Sequence, residues 1–341
     1  MSIKLSICIP TYNRSMALDE ALLSISNQIN LFNDEVEVII SDNSSTDNTS
    51  EIVNKYKHKI NNIIYNINEL NIGADKNFLK AVSLASGEFC MILGSDDALA
   101  PNFLRKILSL IGEYDIYLMD RVNMTQDMRL IVNPCEKFMK ISSCSVYKFS
   151  SLNDYKKYYN DCIHIGSLFS YISTIIFRGS MWKNTPTHES LLGSYWAHVS
   201  KLNEMQKAGA TLKYIGEPLI LNRTNNDSFL VSLGYSTRRV VDLNFVNIPK
   251  LVFGGNSYQA KSICKITSKQ YLTFRCMFSD KRSSLLSDGS NCYNLIEAAY
   301  KEHYSITLIL KIKIYIVRKA PLSIWNLLHP SIKKFNKIIS T

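Results

Sequence analysis

Short apolar runs alternate with longer amphipathic segments over the first 125 residues. The apolar runs lie at residues 5–9, 36–40, 63–67, 89–93 and 116–119. Runs of this length are typical of strands that are buried on both faces. Helical patterns lie between them, at residues 16–28, 49–57, 75–84 and 101–111. This order predicts an α/β fold with a Rossmann-like, doubly wound, mainly parallel sheet.

The pattern changes after about residue 125. Residues 120–160 are polar with little clear period, which indicates loops and short strands. Further strands are predicted at residues 170–178, 212–215 and 218–222, and a helix at about 194–207. Residues 237–300 are mostly helical in pattern, most clearly at 271–278 and 293–300. We therefore expect one domain over residues 1–235, in two parts at 1–125 and 126–235, and a helical extension over 236–341.

The positive charge of the chain is concentrated near its C-terminus. The net charge is +10, and no Asp or Glu follows Glu302. The basic residues after Glu302 are Lys311, Lys313, Arg318, Lys319, Lys333, Lys334 and Lys337. Apolar and basic residues alternate over 304–341, which is typical of a segment that lies on an anionic membrane surface. A helix pair packed on the protein is the alternative interpretation.

Composition excludes several broad classes of protein. With 46% hydrophobic residues, the chain lacks the low hydrophobicity of disordered proteins,. It has neither a secretory signal pattern nor an apolar run of the ~18 residues that a membrane span needs, so we expect a cytoplasmic protein. Its eight cysteines form no CxxC pair and are interpreted as reduced packing residues,.

Three polar clusters begin where predicted strands end. They are residues 10–14 (Pro-Thr-Tyr-Asn-Arg), 41–43 (Ser-Asp-Asn) and 94–97 (Gly-Ser-Asp-Asp). Sheets of this kind bind ligands at the carboxyl ends of their strands, so the clusters should gather along one rim. An Asp there can accept from a base or ribose, whereas an Asp beside a diphosphate is tolerated mainly through a divalent cation. The sequence therefore predicts a site for a nucleotide diphosphate.

These clusters, with residues 44–47 (Ser-Ser-Thr-Asp), residues 71–73 (Asn-Ile-Gly) and Asn77, resemble the family 2 glycosyltransferases of the GT-A fold. The resemblance covers roughly residues 4–125 and continues weakly to about 230. Residues 71–79 and 223–229 further resemble bacterial O-antigen enzymes of the abequosyltransferase type. The resemblance implies inverting transfer from a nucleotide sugar, here a CDP-3,6-dideoxyhexose such as CDP-abequose. The acceptor would be a lipid-linked oligosaccharide in O-antigen assembly, with residues 1–125 binding the donor and 126–235 the acceptor.

The same resemblance assigns a metal ligand. In the family an Asp-x-Asp motif is followed by another Asp, and its second Asp binds the metal; that position here is Asp96. We therefore expect Mg²⁺ or Mn²⁺ as cofactor. Gly94 occupies the position of the first Asp, so one carboxylate is missing. Asp97 either compensates for it or caps the helix predicted near Pro101.

Donor contacts are predicted along the rim. Asp42 is expected to recognise base or ribose, with Thr11 and Tyr12 lining the pocket and Arg14 near the phosphates. The other residues predicted to line it are Pro10, Asn43, Asp75, Asn77 and Ser95. Packing by Tyr12, turn capping by Asp42 and helix capping by Asp75 and Asn77 are the alternatives without a ligand.

The catalytic base is predicted with least support from the motifs. Family members carry an acidic pair after the strand that corresponds to residues 170–178, and this chain has none there. His198 falls at that place and imidazole titrates near neutrality; Glu189 is the second candidate. Tyr195, Arg223 and Asp227 are predicted to contact the acceptor or the diphosphate. A salt bridge between Arg223 and Asp227 is the alternative.

Other functions remain open at this point. They are transfer of a UDP- or dTDP-sugar to another surface polysaccharide, nucleotidyl transfer to a sugar, and binding of nucleic acid by a basic module. A nucleotidyltransferase should have a Gly-rich loop near its start, and residues 10–14 contain no Gly. Nucleic-acid binding is suggested by charge alone, so no nucleic-acid partner is expected. The expected partners are the donor, the acceptor and the anionic cytoplasmic face of the inner membrane, and the oligomeric state is left open.

Overall fold

The computed structural model describes residues 2–141, 144–226, 233–288, 293–304 and 308–321. The chain divides into two compact units, residues 1–226 with 248–259 (the first unit) and residues 227–247 with 260–341 (the second unit). The functional division predicted at residues 125 and 235 stays a prediction. Residues 322–341, which carry Lys333, Lys334 and Lys337, and also Asp227, lie outside the described residues.

The first unit begins with the predicted alternation of strands and helices. Its strands are β1 (Leu5–Thr11), β2 (Val36–Asp42), β3 (Ile63–Ile67), β4 (Phe89–Ile92), β5 (Ala98–Leu99), β6 (Ile116–Met124), β7 (Ile131–Glu136), β8 (Ser145–Lys148), β9 (Ile175–Arg178) and β10 (Thr211–Arg223). Its helices up to residue 226 are α1 (Ser15–Ile29), α2 (Thr49–Tyr56), α3 (Ala74–Ser83), α4 (Phe103–Leu110), α5 (Leu152–Asp161), α6 (Gly179–Asn184) and α7 (Ala197–Lys207).

One sheet holds all of these strands. Its main path is β3-β2-β1-β4-β9-β6-β10-β5, with β7 added to β6 and β8 added to β10. Strands β3, β2, β1 and β4 pair in parallel, as do β6 and β10, and β9 is antiparallel to both β4 and β6. Strands β1, β2, β4, β6 and β10 therefore run in one direction, and their carboxyl ends lie on one edge of the sheet, called the rim below. The predicted mainly parallel α/β sheet is confirmed.

The core of the first unit explains why its strands were visible in the sequence. Every residue of β1, β2 and β4 is buried. Helix α1 adds Leu18, Leu22 and Ile25 to the same core, at the three- and four-residue spacing of one helix face,. Burying each such side chain contributes about 1.5–3 kcal/mol, so local pattern and tertiary packing favour the same fold.

Several element boundaries differ from the predictions. The strand predicted at residues 170–178 is only β9, because residues 172–174 form a 3₁₀ turn before it. The helix predicted at residues 271–278 is split between two helices, Tyr258–Tyr271 and Phe274–Ser287. Thr273 lies between them, and its side chain accepts from the Cys276 N–H as an N-cap,.

Helix α5 was not predicted at all. It has a capping box in which Ser151 accepts from the Asp154 N–H and the Asp154 carboxylate accepts from the Ser151 N–H,. That motif was available in the sequence, but the apolar period of the segment is weak.

Helices make up the second unit and its boundaries. They are α8 (Tyr235–Leu243), α9 (Asn247–Phe253), α10 (Tyr258–Tyr271), α11 (Phe274–Ser287), α12 (Tyr293–His303) and α13 (Leu308–Lys319). Residues 248–259, which include most of α9 and the start of α10, belong to the first unit. The centre of the second unit is Asp280, which accepts from Arg239 Nε at 3.0 Å and from the hydroxyls of Tyr235 and Tyr300. Over the described ranges, no helix has both the length and the apolar character that crossing a bilayer requires.

Candidate functional site

Asp96 lies at the rim just beyond β4. Its Oδ2 atom is 2.8 Å from Arg14 Nη1, and Asn226 Nδ2 donates to the same oxygen at 3.1 Å. The side chains of Arg14 and Asp96 are 20% and 21% exposed, so solvent and small ligands reach both. Two of the three predicted clusters, residues 10–14 and 94–97, thus meet at this carboxylate together with the segment after β10.

Gly94 lies beside two carboxylates, and the position that a Cβ atom would occupy is closely surrounded by oxygen atoms. A Cβ atom on Gly94 would lie 3.0 Å from Asp97 Oδ2 and 3.1 Å from Asp96 Oδ1. Oxygens of both acids therefore face the same small volume. Mg²⁺ is commonly held by one or two carboxylates together with substrate phosphates. No cluster of three or more acidic, His or Cys side chains suits a metal in the described part of the chain, so the remaining ligands would have to come from a donor and water. With that addition, the residues fit a divalent cation.

Asp97 is buried, unlike its neighbour. Tyr171 donates its hydroxyl to Oδ1 and Ser173 donates to Oδ2, each at 2.6 Å. Burial and then the nearby charge of Asp96 raise the pKa of Asp97 to about 7. The Asp97 carboxylate therefore accepts hydrogen bonds from the segment before β9. It does not cap α4, whose N-cap is Asn102. Ser95, between Gly94 and Asp96, is also buried.

A polar group that the sequence did not reveal surrounds Tyr171. The Tyr171 hydroxyl also contacts Asn222 Oδ1, and the Arg121 guanidinium lies 4.0 Å from the centre of the Tyr171 ring. Arg121 Nε donates to Glu136 Oε2 at 2.6 Å. These residues come from β6, β7, β10 and the segment before β9. No local motif marks them, because only the packing of the sheet brings them beside Asp97.

Asp42 lies at the end of β2 and is buried. Its Oδ1 atom accepts from the Ser45 N–H at 2.9 Å, and its Oδ2 atom accepts from the Tyr65 hydroxyl at 2.7 Å. Burial and the hydrogen bond to Asp42 raise the pKa of Tyr65 to about 12, although a hydrogen bond with Ser50 opposes them. One oxygen of Asp42 therefore holds the turn after β2 and the other binds Tyr65 of β3, and contact with a base or ribose would exchange one of these bonds.

The end of β1 offers two side chains to a ligand. Tyr12 is 45% exposed, which leaves its ring available for stacking,. Thr11 is buried, and its Oγ1 atom has no hydrogen-bond partner within the described residues. A buried hydroxyl without a partner is rare in proteins, and a bound ligand would give it one. Pro10 pairs with Ser41 inside the sheet.

Asn43 and Asn77 belong to an internal amide network. Asn68 Nδ2 donates to Asn43 Oδ1 at 3.1 Å and to Asn77 Oδ1 at 3.0 Å. Asn77 also accepts from the Ser41 hydroxyl at 2.7 Å. These bonds tie β2, α3 and the loop after β3 together, so both amides have a structural task. Their predicted contact with the donor stays a prediction.

Asp75, in the first turn of α3, anchors a distant loop. Its carboxylate accepts from the backbone N–H groups of Gly193 and Tyr195 at 2.8 Å and of Ala197 at 3.0 Å. Burial nevertheless raises the pKa of Asp75 above its ordinary value. Tyr195 has a φ of 66°, in the left-handed region, so this loop before α7 is held in a conformation that costs energy,. Asp75 thus positions Tyr195, and its predicted contact with the donor stays a prediction.

His198 is buried in α7. Its Nε2 atom lies 3.1 Å from the Phe169 carbonyl oxygen, so it is the protonated nitrogen in the neutral ring. Burial lowers the pKa of His198 to about 3, and its Nδ1 atom has no partner among the described residues. A buried imidazole that resists protonation is a poor acceptor for a substrate proton. The structure therefore argues against the predicted base role of His198. Glu189 is exposed in a 3₁₀ turn, and its base role stays a prediction.

Arg223 holds the backbone at the rim. Its Nε atom donates to the Asp96 carbonyl oxygen at 3.1 Å, and its other nitrogens contact Glu20 and the Gln126 carbonyl oxygen. The side chain is almost fully enclosed and does not face solvent as a free phosphate ligand would. Whether it pairs with Asp227 is not described, since Asp227 lies outside the described residues.

Comparison with known proteins gives the family. Residues 6–176 match Glycosyl transferase family 2. Abequosyltransferase RfbV of Salmonella typhimurium is 38% identical over 262 residues, 76% of this chain and 76% of that protein. The GalNAc(5)-diNAcBac-PP-undecaprenol beta-1,3-glucosyltransferase of Campylobacter jejuni is 35% identical over 111 residues, 32% of this chain and 35% of that protein.

Solved structures give the fold. S. aureus TarS 1–349 in complex with UDP-GlcNAc matches with a TM-score of 0.57 and 17% identity, over 97% of this chain and 92% of that chain. At this identity the match supports the GT-A fold alone. The family match, the RfbV relative and the rim geometry agree. The chain therefore belongs to glycosyl transferase family 2 and is a glycosyltransferase.

Proposed function

We propose that this protein transfers a 3,6-dideoxyhexose from a CDP-sugar, such as CDP-abequose, to a lipid-linked oligosaccharide in O-antigen assembly. The observation that carries the proposal is the identity of 38% with an abequosyltransferase over 76% of the chain. The Campylobacter jejuni relative is named for an acceptor linked to PP-undecaprenol, which supports a lipid-linked acceptor here. Such an acceptor places the reaction at the cytoplasmic face of the inner membrane.

The donor nucleotide binds at the end of β1 in this proposal. The exposed ring of Tyr12 stacks on the base, and the unpartnered hydroxyl of Thr11 hydrogen-bonds to the nucleotide. Stacking of a base on an aromatic ring contributes about 1–3 kcal/mol. Asp42 fixes the shape of the neighbouring turn and recognises base or ribose by exchanging its bond with Tyr65 or Ser45.

The diphosphate binds beside Asp96. Arg14 presents a guanidinium, whose planar fork suits phosphate oxygens. Asp96 and Asp97 would hold Mg²⁺ or Mn²⁺ beside Gly94. When bound, that cation would offset the charge of the leaving diphosphate as a Lewis acid. Arg223 keeps the Asp96 backbone in place through its bond to the carbonyl oxygen.

The acceptor binds beyond β6 in this proposal. Tyr195, whose backbone N–H is held by Asp75, and the polar group around Tyr171 are the proposed acceptor contacts. A general base takes the proton of the attacking hydroxyl in this proposal, and Glu189, which is exposed, is the proposed base,. Inversion by single displacement stays an expectation from the family.

Calorimetric titration with CDP, UDP, GDP and dTDP, each with and without Mg²⁺ or Mn²⁺, tests the donor site. We expect selective, metal-dependent binding of CDP that is weakened by Tyr12→Ala and loses its metal dependence in Asp96→Asn. Asp19→Asn is the matched control, because Asp19 also forms an ion pair on the first unit, with Lys55 at 2.7 Å, away from the rim contacts.

Each other outcome has a definite meaning. Selective binding of UDP or dTDP, with turnover of those sugars and none of CDP-abequose, would replace the proposed donor and favour another surface polysaccharide. Failure to bind any of the four nucleotides would refute the proposed donor site.

A further inference from the structure

Helix α13 is held firmly by one of its faces. Leu310, Ile314 and Val317 are buried, at the spacing of one helix face,. Lys281 Nζ donates to the carbonyl oxygens of Val317, Arg318 and Ala320 at 2.8–3.0 Å, which satisfies acceptors that a helix end leaves free,. The orientation of α13 within the second unit is therefore defined.

The opposite face of α13 is apolar and exposed. Its side chains are Leu308 (74% exposed), Ile309 (67%), Ile312 (48%), Tyr315 (64%) and Ile316 (42%). A helix face that meets only water is normally polar. Five large apolar side chains on one side of a helix of 12 residues instead mark a surface that binds something apolar,.

Positive charges border this face. Lys311 and Lys319 are exposed, and Arg318 lies 3.4 Å from Glu297. Glu297 offsets Arg318, but no acid follows Glu302 in the sequence, so α13 itself carries no acid beside Lys311 and Lys319. Long basic side chains can keep their charge in the headgroup region while their stems lie along apolar surface. Apolar residues flanked by Lys and Arg are the pattern of a helix that lies in the interface of an anionic bilayer.

We propose that the exposed face of α13 docks on an anionic lipid surface, with its five apolar side chains among the acyl chains and Lys311 and Lys319 at the headgroups. The proposal rests on the proposed function, because a lipid-linked acceptor is confined to a membrane. It goes further by naming the helix and the face of that helix. The complementarity between positive border and anionic headgroups favours a membrane over a second copy of this chain, which carries the same positive border.

Co-sedimentation of the full chain with vesicles tests the surface. Vesicles of phosphatidylcholine alone are compared with vesicles that also contain phosphatidylglycerol. The variant with Ile309→Ser, Ile312→Ser and Ile316→Ser should lose most binding to the anionic vesicles. Leu31→Ser is the matched control, since Leu31 is an apolar side chain of the first unit that is 73% exposed, and it should bind as the wild type does.

A second variant separates charge from apolar contact. Lys311→Gln with Lys319→Gln should weaken binding to the anionic vesicles about fivefold for each lysine and leave binding to neutral vesicles unchanged. Both lysines are exposed, so this variant should melt at the wild-type temperature. It keeps the proposal testable even if the triple Ser variant folds poorly.

Several results would contradict the proposed lipid-binding surface. One is equal sedimentation of the wild type and both variants. Another is a loss of self-association in the triple Ser variant, seen by size exclusion, with no change in vesicle binding, which would make the face a contact between copies. CDP titration of the same variants should give wild-type affinity. If the wild-type protein bound vesicles through α13 but bound no nucleotide, the proposed function would be refuted and the proposed lipid-binding surface would be supported.

Discussion

Asp96 and Asp97 are adjacent in sequence but have different surroundings. Asp96 is partly exposed and paired with Arg14, whereas Asp97 is buried and accepts from Tyr171 and Ser173. Burial and the charge of Asp96 raise the pKa of Asp97 to about 7. At neutral pH without a bound cation, Asp97 thus exchanges a proton while Asp96 stays available to Arg14 or a metal.

Replacing Asp97 should change how stability depends on pH. The pKa of Asp97 is about 7 in the folded chain, above the value of about 3.9 for an unfolded chain,. Between these two pH values the folded state therefore binds a proton that the unfolded state has lost. The stability that this proton contributes is full below about pH 4 and is lost as pH rises through 7. Asp97→Asn cannot lose this proton. Its free energy of unfolding, compared with that of the wild type, should therefore be higher at pH 8 than at pH 5.

Urea unfolding at pH 5 and pH 8 measures this difference, which should be on the order of a few kcal/mol. Asp19→Asn serves as control, because Asp19 is a partly exposed partner of Lys55. Parallel pH profiles for wild type and Asp97→Asn would show that Asp97 has an ordinary pKa.

His198 should have the opposite pH effect. Its pKa is lowered to about 3 by burial, so the folded state excludes a proton that the unfolded state binds below about pH 6.5,. The stability contributed by the neutral ring is full above pH 6.5 and is lost as pH falls toward 3, amounting to about 2 kcal/mol lost at pH 5. His198→Gln, which keeps a donor for the Phe169 carbonyl oxygen, should unfold at lower pH than wild type.

The same variant tests the catalytic alternative. With a structural His198, His198→Gln should keep CDP binding and most of its turnover. A stable variant with normal nucleotide binding and turnover reduced by orders of magnitude would restore His198 as the base.

At the scale of elements, helix α3 controls the loop before α7. The Asp75 carboxylate receives three backbone N–H groups of that loop, from a position more than a hundred residues away in sequence. Binding groups often lie on loops and at helix ends. Here one buried acid, Asp75, fixes the backbone of such a loop.

Asp75→Asn should release this loop. The Asn amide has one oxygen to accept with, and its NH₂ group would face backbone donors, so unpaired buried groups would cost about 1–3 kcal/mol. Hydrogen exchange at residues 193–197 should accelerate, and turnover should fall more than CDP affinity. Asp47→Asn is the control, because Asp47 accepts from the N–H groups of Ser15 and Thr49 elsewhere in the same unit. Unchanged exchange at 193–197 would show that Asp75 does not anchor the loop.

At the scale of the whole molecule, each compact unit has its own polar centre. The first unit carries the rim, and the second is built around Asp280. Asp280 is buried with Arg239 and two tyrosine hydroxyls, and the Arg239 guanidinium lies 4.3 Å from the centre of the Tyr271 ring. Removing one partner of such a buried pair leaves an uncompensated charge.

Asp280→Asn should therefore destabilise the second unit by about 3–5 kcal/mol. Hydrogen exchange should accelerate in α8, α11 and α12, while the protected amides of β1, β2 and β4 should keep their wild-type rates. CDP affinity, measured by calorimetry, should be unchanged, because every proposed donor contact lies in the first unit. A loss of CDP affinity in folded Asp280→Asn would contradict that assignment.

The sequence by itself determined the strands of the donor half and the polar clusters that follow them. Residues 5–9, 36–40 and 89–93 are mostly apolar runs of the kind that forms buried strands, and a parallel sheet places their carboxyl ends together. The family followed from motifs contained in these short segments. Such features depend on neighbours in sequence, so a single chain suffices to find them.

Only the tertiary structure decided which polar side chains meet and which are buried. Tyr171 and Ser173 reach Asp97 from more than seventy residues away, and Asp75 binds a loop more than a hundred residues away. His198 carries no local mark of burial, yet burial in the packed structure lowers its pKa to about 3 and keeps the ring neutral. The reason is physical: strand order, register and side-chain packing arise from long-range contacts, which local periodicity does not contain.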